Sequence, residues 1–172
     1  ILFKYTHFWG DYFHYQNGHG WYKNEIRIIR NLPDIHSWES AQSFRKIPNF
    51  DGKNYRQQVG THKLHVVQTN AHIYHYGWVR SEEEMNLKSS KVQKYWGRGP
   101  VKIDYSQIDQ SIIKKFEGTH PKIVKDWLPK DVGLYIADSS YKLTQKQKKH
   151  RVIIKLENLF GLDLSKKHYK LV

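Results

Sequence analysis

The chain changes texture near residue 80, and that change limits its fold more than any other feature. Residues up to about Trp78 are rich in aromatic, His and β-branched side chains, the composition that fits a pleated, half-buried surface. Residues from about Ser81 onward are rich in Lys and carry helix-start and helix-stop signals. Strands followed by capped helices predict a mixed α/β domain, a sheet with flanking helices and a helical tail. At 172 residues the chain is long enough for one domain with a real core, so residues 1–172 are read as a single domain, strand-rich over 1–80 and helical over 81–172.

Phe3–Trp9 and Tyr12–Gln16 read as strands broken at Gly10-Asp11, ending in the turn Asn17-Gly18-His19-Gly20. Trp21–Arg30 alternates, with Ile26 and Ile28 on one face and Arg27 and Ile29 on the other. Ile35–Ile47 is ambiguous, since Ser37 can cap a helix over that stretch. Asn49–Gly60 reads as an exposed loop, and Lys63–Val67 and Ile73–Val79 as strands.

In the second half Ser81-Glu82-Glu83-Glu84 has the form of a capping box, and its helix is expected to end near Gly97. Ser106–Asp109 predicts a second helix with the stripe Ile108, Ile112, Ile113 and Phe116, closed by Gly118. Pro121 suits a first helical residue, with Ile123, Val124, Trp127 and Leu128 as the apolar face and Pro129 as the stop. Thr144 begins the last helix; Val152, Ile153, Leu156, Leu159 and Phe160 form its expected buried stripe, and Gly161 its C-terminal cap.

There is no Cys, which excludes disulfide scaffolds, Cys-based zinc sites, iron–sulfur clusters and thiol nucleophiles. No run approaches the ~18 apolar residues of a membrane-spanning helix. Lys plus Arg number 29 against 16 acids, a formal charge of +13. Such a charge suits an anionic partner: a membrane surface, a polysaccharide, a lipid-linked phosphate or nucleic acid. The Lys runs lack interleaved aromatics, which counts against a single-stranded nucleic-acid groove. Residue 1 is Ile and Ile1–Tyr5 already reads as strand, so the chain is expected to be a piece of a longer protein.

The densest chemistry lies in Ala71–Arg80, AHIYHYGWVR. His75 sits near the strand's carboxyl end, where open α/β sheets bind ligands, either as a metal or phosphate contact or as a core histidine. His62/His65 and His72/His75 are spaced three apart, which on strands places the rings on opposite faces. The acid–base candidates are Asp11, Glu25, Asp34 and Glu39; Glu39 lies beside Trp38 in SWESAQSFR. Arg27 and Arg30 are suited to phosphate or carboxylate recognition. Trp78, Trp9, Tyr12 and Tyr15 offer stacking faces or core packing.

The runs WYKNEIRIIRNLPDIHSWESAQSFRK, KLHVVQTNAHIYHYGWVRSEEEM, DYSQIDQSIIKKFEGTHPKIVKDWL and FGLDLSKKHYKL resemble the downstream, acceptor-side half of bacterial family-2-like glycosyltransferases with a GT-A fold. The resemblance covers nearly the whole chain, and HYGWVR and FEGTHP are its most distinctive blocks. It implies transfer of a sugar from a nucleotide-sugar donor to a glycan or lipid-linked acceptor in cell-envelope or polysaccharide assembly. It further implies Mn²⁺ or Mg²⁺ at the diphosphate; the cytoplasmic location, peripheral to the inner face of the membrane, is an expectation from the sequence's lack of Cys, targeting segment and membrane span. Carried over by position, His75 becomes a metal ligand and Glu39 the base. Arg27, Arg30, Trp78 and Arg80 become donor or acceptor contacts. The sequence departs from the family in having no Asp-x-Asp, so the other metal ligands are expected before Ile1. Where relatives show a His-Glu pair, the chain reads Ala41-Gln42-Ser43-Phe44, which weakens the case for Glu39. The alternatives are a basic nucleic-acid-binding module and a non-catalytic carbohydrate-binding domain.

Overall fold

The computed structural model describes residues 1–95, 97–128 and 137–172. The protein is of the mixed α/β class. Its strands are β1 (Leu2–Phe8), β2 (His14–Gln16), β3 (Asn24–Ile26), β4 (Ile35–Trp38), β5 (Ser40–Lys46), β6 (His62–Val66), β7 (Gln68–His75), β8 (Ile113–Lys115) and β9 (Tyr169–Leu171). Its helices are α1 (Glu82–Tyr95) and α2 (Gln145–Phe160). The chain forms two compact units, each interleaved in sequence. One comprises Ile1–Tyr5, Tyr22–Ile73 and Leu164–Val172; the other comprises Thr6–Trp21 and Tyr74–Asp163.

In the first unit the start of β1 pairs antiparallel with β3, placing Leu2 opposite Ile26. β4 and β5 form a hairpin, which resolves the ambiguity over Ile35–Ile47: Ser37 lies in a strand opposite Phe44 and caps no helix. β5 continues to β6, and β6 takes β9 in parallel. Leu2, Ile26 and Val66 are buried together, with Ile29, Phe44, Leu64 and Tyr169 packed around them. The alternation expected through Arg30 stops at Ile26. Ile29 turns toward the core and Ile28 is exposed.

In the second unit the end of β1 pairs with β2, and β2 with β8. The turn between β1 and β2 is built on Asp11, which is fully buried. One carboxylate oxygen of Asp11 accepts the N–H groups of Phe13 and His14, each at 2.8 Å, and the other lies 2.9 Å from His14 Nδ1. Those bonds bend the chain tightly enough for the hairpin. Ser81 and Glu84 cap α1 reciprocally, as expected. Met85 of α1 packs with Trp9, Tyr105 and Ile108 in the core. Asn86 fixes the helix against the following loop by bonding both the N–H and the C=O of Ile103.

Three local expectations are corrected. Residues 106–118 do not form an α-helix. Ser106 donates its hydroxyl to Asp104, while Asp109 caps a 3₁₀ turn at Gln110–Ile112 and the chain then enters β8. Bonding to β2 competes successfully with the helical pattern of Ile108, Ile112 and Ile113. Lys122–Trp127 is a 3₁₀ helix with Pro121 as its cap rather than its first residue; Pro129, its expected stop, lies outside the described residues. β7 ends at His75, and Tyr76–Val79 is a turn closed by Val79 N–H to Tyr76 C=O.

The fourth correction concerns α2. Its ends are as expected: Thr144 and Gln147 form a full capping box, and Gly161 closes the helix at φ 62°. Of its expected stripe only Ile153 is half-buried; the rest is exposed. Val152, Leu156, Leu159 and Phe160 are 58%, 42%, 75% and 63% exposed, while Glu157 is buried. Among the described residues the core cluster of this unit contains no α2 side chain. Polar bonds on the opposite side of the helix hold it instead.

Candidate functional site

The second unit contains a cleft of about 430 Å³. Three separate stretches wall it: 9–21, 102–112 and 144–150. Trp9 and Trp21 bring indoles whose ring centroids lie 6.1 Å apart at 78°. Gln16, at the end of β2, is buried, and neither its amide oxygen nor its amide nitrogen has a hydrogen-bond partner. A buried amide left unbonded costs roughly 1–3 kcal/mol.

His19 and His150 face each other at 5.3 Å between centroids, and His19 Nδ1 lies 3.2 Å from the buried carboxylate of Glu157. Burial lowers the His150 pKa, and the neighbouring His19, Lys146 and Lys149 lower it further. The turn Asn17–Gly20 is more than a connection. A Cβ at Gly18 would lie 2.8 Å from Ile112 Cδ1, and one at Gly20 would lie 3.2 Å from His150 Cε1. The backbone therefore comes close to both walls, and a Cβ at Gly18 would require the Ile112 δ-methyl to shift.

A second set in the same unit surrounds Phe8, which is fully buried among Tyr74, Tyr76, Phe116 and His120. His120 Nε2 lies 3.0 Å from the carbonyl of Tyr12, and Nδ1 lies 2.8 Å from the Tyr76 hydroxyl. A carbonyl only accepts, so Nε2 carries the proton, Nδ1 accepts, and Tyr76 donates. Burial lowers the His120 pKa and pushes Tyr76 up to about 12.

His75 Nδ1 lies 3.2 Å from Nδ1 of buried His7. A Cβ at Gly77 would come 2.5 Å from His75 Nε2, so that glycine makes room for the ring. Two nitrogens at this spacing suit a shared proton, and equally two adjacent ligands of one ion at about 2.1 Å. Among the described residues no three His, Asp or Glu side chains are placed to hold a metal ion together, so these residues do not by themselves form a shell for Mn²⁺ or Mg²⁺. Trp78 packs into the core against Trp9 and Trp21, at 5.1 and 5.5 Å, and does not line the cleft. Arg80 is exposed at the start of the turn into α1.

The remaining candidates lie in the first unit. Arg27 Nη2 is 2.8 Å from the buried Glu25 carboxylate and also bonds the Tyr5 hydroxyl. Burial raises the Glu25 pKa even with Arg27, Tyr5 and Tyr22 beside it pulling the other way. Arg30 is exposed, and Asp34 pairs with Lys46 at 3.0 Å. Glu39 stands exposed at the tip of the β4–β5 hairpin with φ 59°, and its N–H bonds the carbonyl of Tyr55.

The structure thus divides the expected site: Arg27, Arg30 and Glu39 belong to one unit, His75, Trp78 and Arg80 to the other. Sequence reasoning named Trp9 as a stacking face and missed Gln16, Trp21, His19 and His150. The available signal was the run of glycine, histidine and tryptophan at 18–21, which is too polar and too glycine-rich for a simple core segment. Comparison of the chain with family models, with curated proteins and with solved structures finds no match. Among the described residues no helix is long and apolar enough to cross a membrane.

Proposed function

We propose that this chain is the acceptor-side portion of a GT-A-like glycosyltransferase, taking part in transfer of a sugar from a nucleotide-sugar donor to a glycan or lipid-linked acceptor. The observation that carries the reading is the cleft in the second unit. Trp21, half-buried in the cleft wall, offers an apolar face on which the C–H face of a sugar ring packs, and His19, Asp104 and His150 offer donors and acceptors for its hydroxyls. The resemblance over nearly the whole sequence supports the same class.

Glu39 is the base that the resemblance implies; it belongs to the first unit and is not among the residues that wall the cleft. Of the four acid candidates, Asp11 is consumed by its turn, Asp34 by Lys46, and Glu25 is buried beside Arg27. Glu39 is exposed, and a non-glycine residue at positive φ is the kind of strained position found at functional sites. His75 is the metal ligand of the reading, with Mn²⁺ or Mg²⁺ completed by groups other than those described. The nucleic-acid reading gains no comparable support, because the aromatic cleft is enclosed by one unit rather than strung along a basic groove.

Calorimetric titration of the chain with oligosaccharides and nucleotide sugars, with and without Mn²⁺, tests the reading. Sugar binding that falls about tenfold in Trp21→Ala, with unchanged circular dichroism, is the expected result. Absence of any sugar binding, together with nucleic-acid binding that falls steeply with salt, overturns it.

A further inference from the structure

The outward face of α2 is apolar where an ordinary surface helix is polar. Val152, Leu156, Leu159 and Phe160 recur at the i, i+4, i+7, i+8 spacing of a single helical face. All four are exposed, and Leu162, just beyond the Gly161 cap, is 54% exposed as well. At 3.6 residues per turn these four and the exposed Lys148, Lys149 and Lys155 share an arc of about 140°.

The opposite side of α2 is committed to the body of its unit. Glu157 bonds His19, Gln147 completes the cap, and Arg151 grips Asp109 through two bonds. The apolar face is therefore left over after the helix has been anchored. Glu157 is the helix's single acid, and it is buried on the inward side.

We propose that α2 docks on an anionic lipid surface, inserting Val152, Leu156, Leu159 and Phe160 among the acyl chains while Lys148, Lys149 and Lys155 meet the headgroups. An apolar stripe edged by Lys148 and Lys155, with Lys149 one turn N-terminal to it, on a helix of low net hydrophobicity, is the composition of an interfacial helix. The long Lys stems extend the apolar surface and carry their charge outward to the phosphates. Charge argues against a second copy as occupant. Two such faces would bring Lys148, Lys149 and Lys155 of both copies together with no outward acid on either helix to offset them, in a chain already at +13. The proposal rests on α2 alone and stands or falls separately from the sugar-transfer reading.

The test is flotation of the full chain with vesicles of phosphatidylcholine alone and of equal parts phosphatidylcholine and phosphatidylglycerol. The chain is expected to float with the anionic vesicles, to stay behind with the neutral ones, and to be released by salt. Leu159→Glu/Phe160→Glu and Lys148→Gln/Lys149→Gln/Lys155→Gln are each expected to cut the bound fraction by about tenfold or more, with unchanged circular dichroism. All five positions are exposed, so neither variant disturbs the core. No flotation, or flotation undiminished in Leu159→Glu/Phe160→Glu, overturns the proposal. So does a concentration-dependent dimer that this variant dissolves while the chain ignores vesicles.

Discussion

Arg151 and Asp109, 42 residues apart, meet through two parallel bonds: Nε to Oδ2 at 2.7 Å and Nη2 to Oδ1 at 2.6 Å. Asp109 is buried and also accepts from the N–H and hydroxyl of Ser111, so one carboxylate holds α2 and caps the 3₁₀ turn before β8. Burial alone would raise its pKa, but Arg151 and Ser111 outweigh that and hold it below the usual carboxylate range. The stability this supplies is present above the unfolded value of about 3.9 and is lost as pH falls through the depressed folded value. Arg151→Met keeps the stem and removes the charge. It should cost about 2 kcal/mol in urea unfolding at neutral pH, less than for a fully buried pair because the guanidinium is partly exposed. The cost should shrink in strong acid; an equal cost at both pH values would assign it to packing of the stem.

Gln16→Met should raise the melting temperature while leaving sugar binding unchanged. The amide is buried with both polar atoms unbonded, so an apolar side chain of similar length removes a desolvation cost of about 1 kcal/mol or more. A structural role alone predicts the reverse sign for stability. Paired thermal melts and calorimetry read both quantities.

The geometry around His120 assigns one tautomer, with the proton on Nε2. Nitrogen-15 NMR should show that tautomer, with a titration midpoint below the ordinary value of about 6.5 because burial disfavours the cation. A lowered folded value means the stability is complete above about pH 6.5 and falls as pH drops toward the folded midpoint. Tyr76→Phe removes the donor to Nδ1, which should raise that midpoint. An unchanged midpoint would mean the hydroxyl does not donate there.

Glu25 behaves in the opposite sense. Burial raises its pKa, so holding it ionised costs stability at neutral pH, and acidification toward its unfolded value of about 4.3 relieves that cost. Glu25→Gln should therefore be more stable than the wild type near pH 7 and converge with it near pH 4. Melting curves across that range decide the matter. A less stable Glu25→Gln at neutral pH would show that the 2.8 Å contact with Arg27 dominates.

The parts legible in the sequence are those settled within a few residues. Ser81 with Glu84, Thr144 with Gln147, and Gly161 each act through bonds spanning one helical turn, so their pattern is written locally. The aromatic runs that became β1 and β2 were legible for a related reason: their side chains fit a pleated surface whatever lies opposite. The residues 106–118 were misleading because their fate depends on partners far away, on Arg151 for Asp109 and on β2 for Ile113.

The periodicity of α2 shows the same division. Sequence determined that residues 145–160 form a helix with an apolar stripe. It could not determine which side faces inward, because a periodic pattern has no marker for the body of the protein. His19 and Asp109 decided that by binding Glu157 and Arg151, which turned the stripe outward. The cleft is likewise a product of tertiary structure. Its walls come from three stretches up to about 140 positions apart in the chain, each with its own local logic and none that announces a site. Composition and local bonding were therefore sufficient for the class of fold and its helix ends. Which faces are free, and which groups converge, followed from long-range pairing, because that energy belongs to pairs of distant residues and not to either one alone.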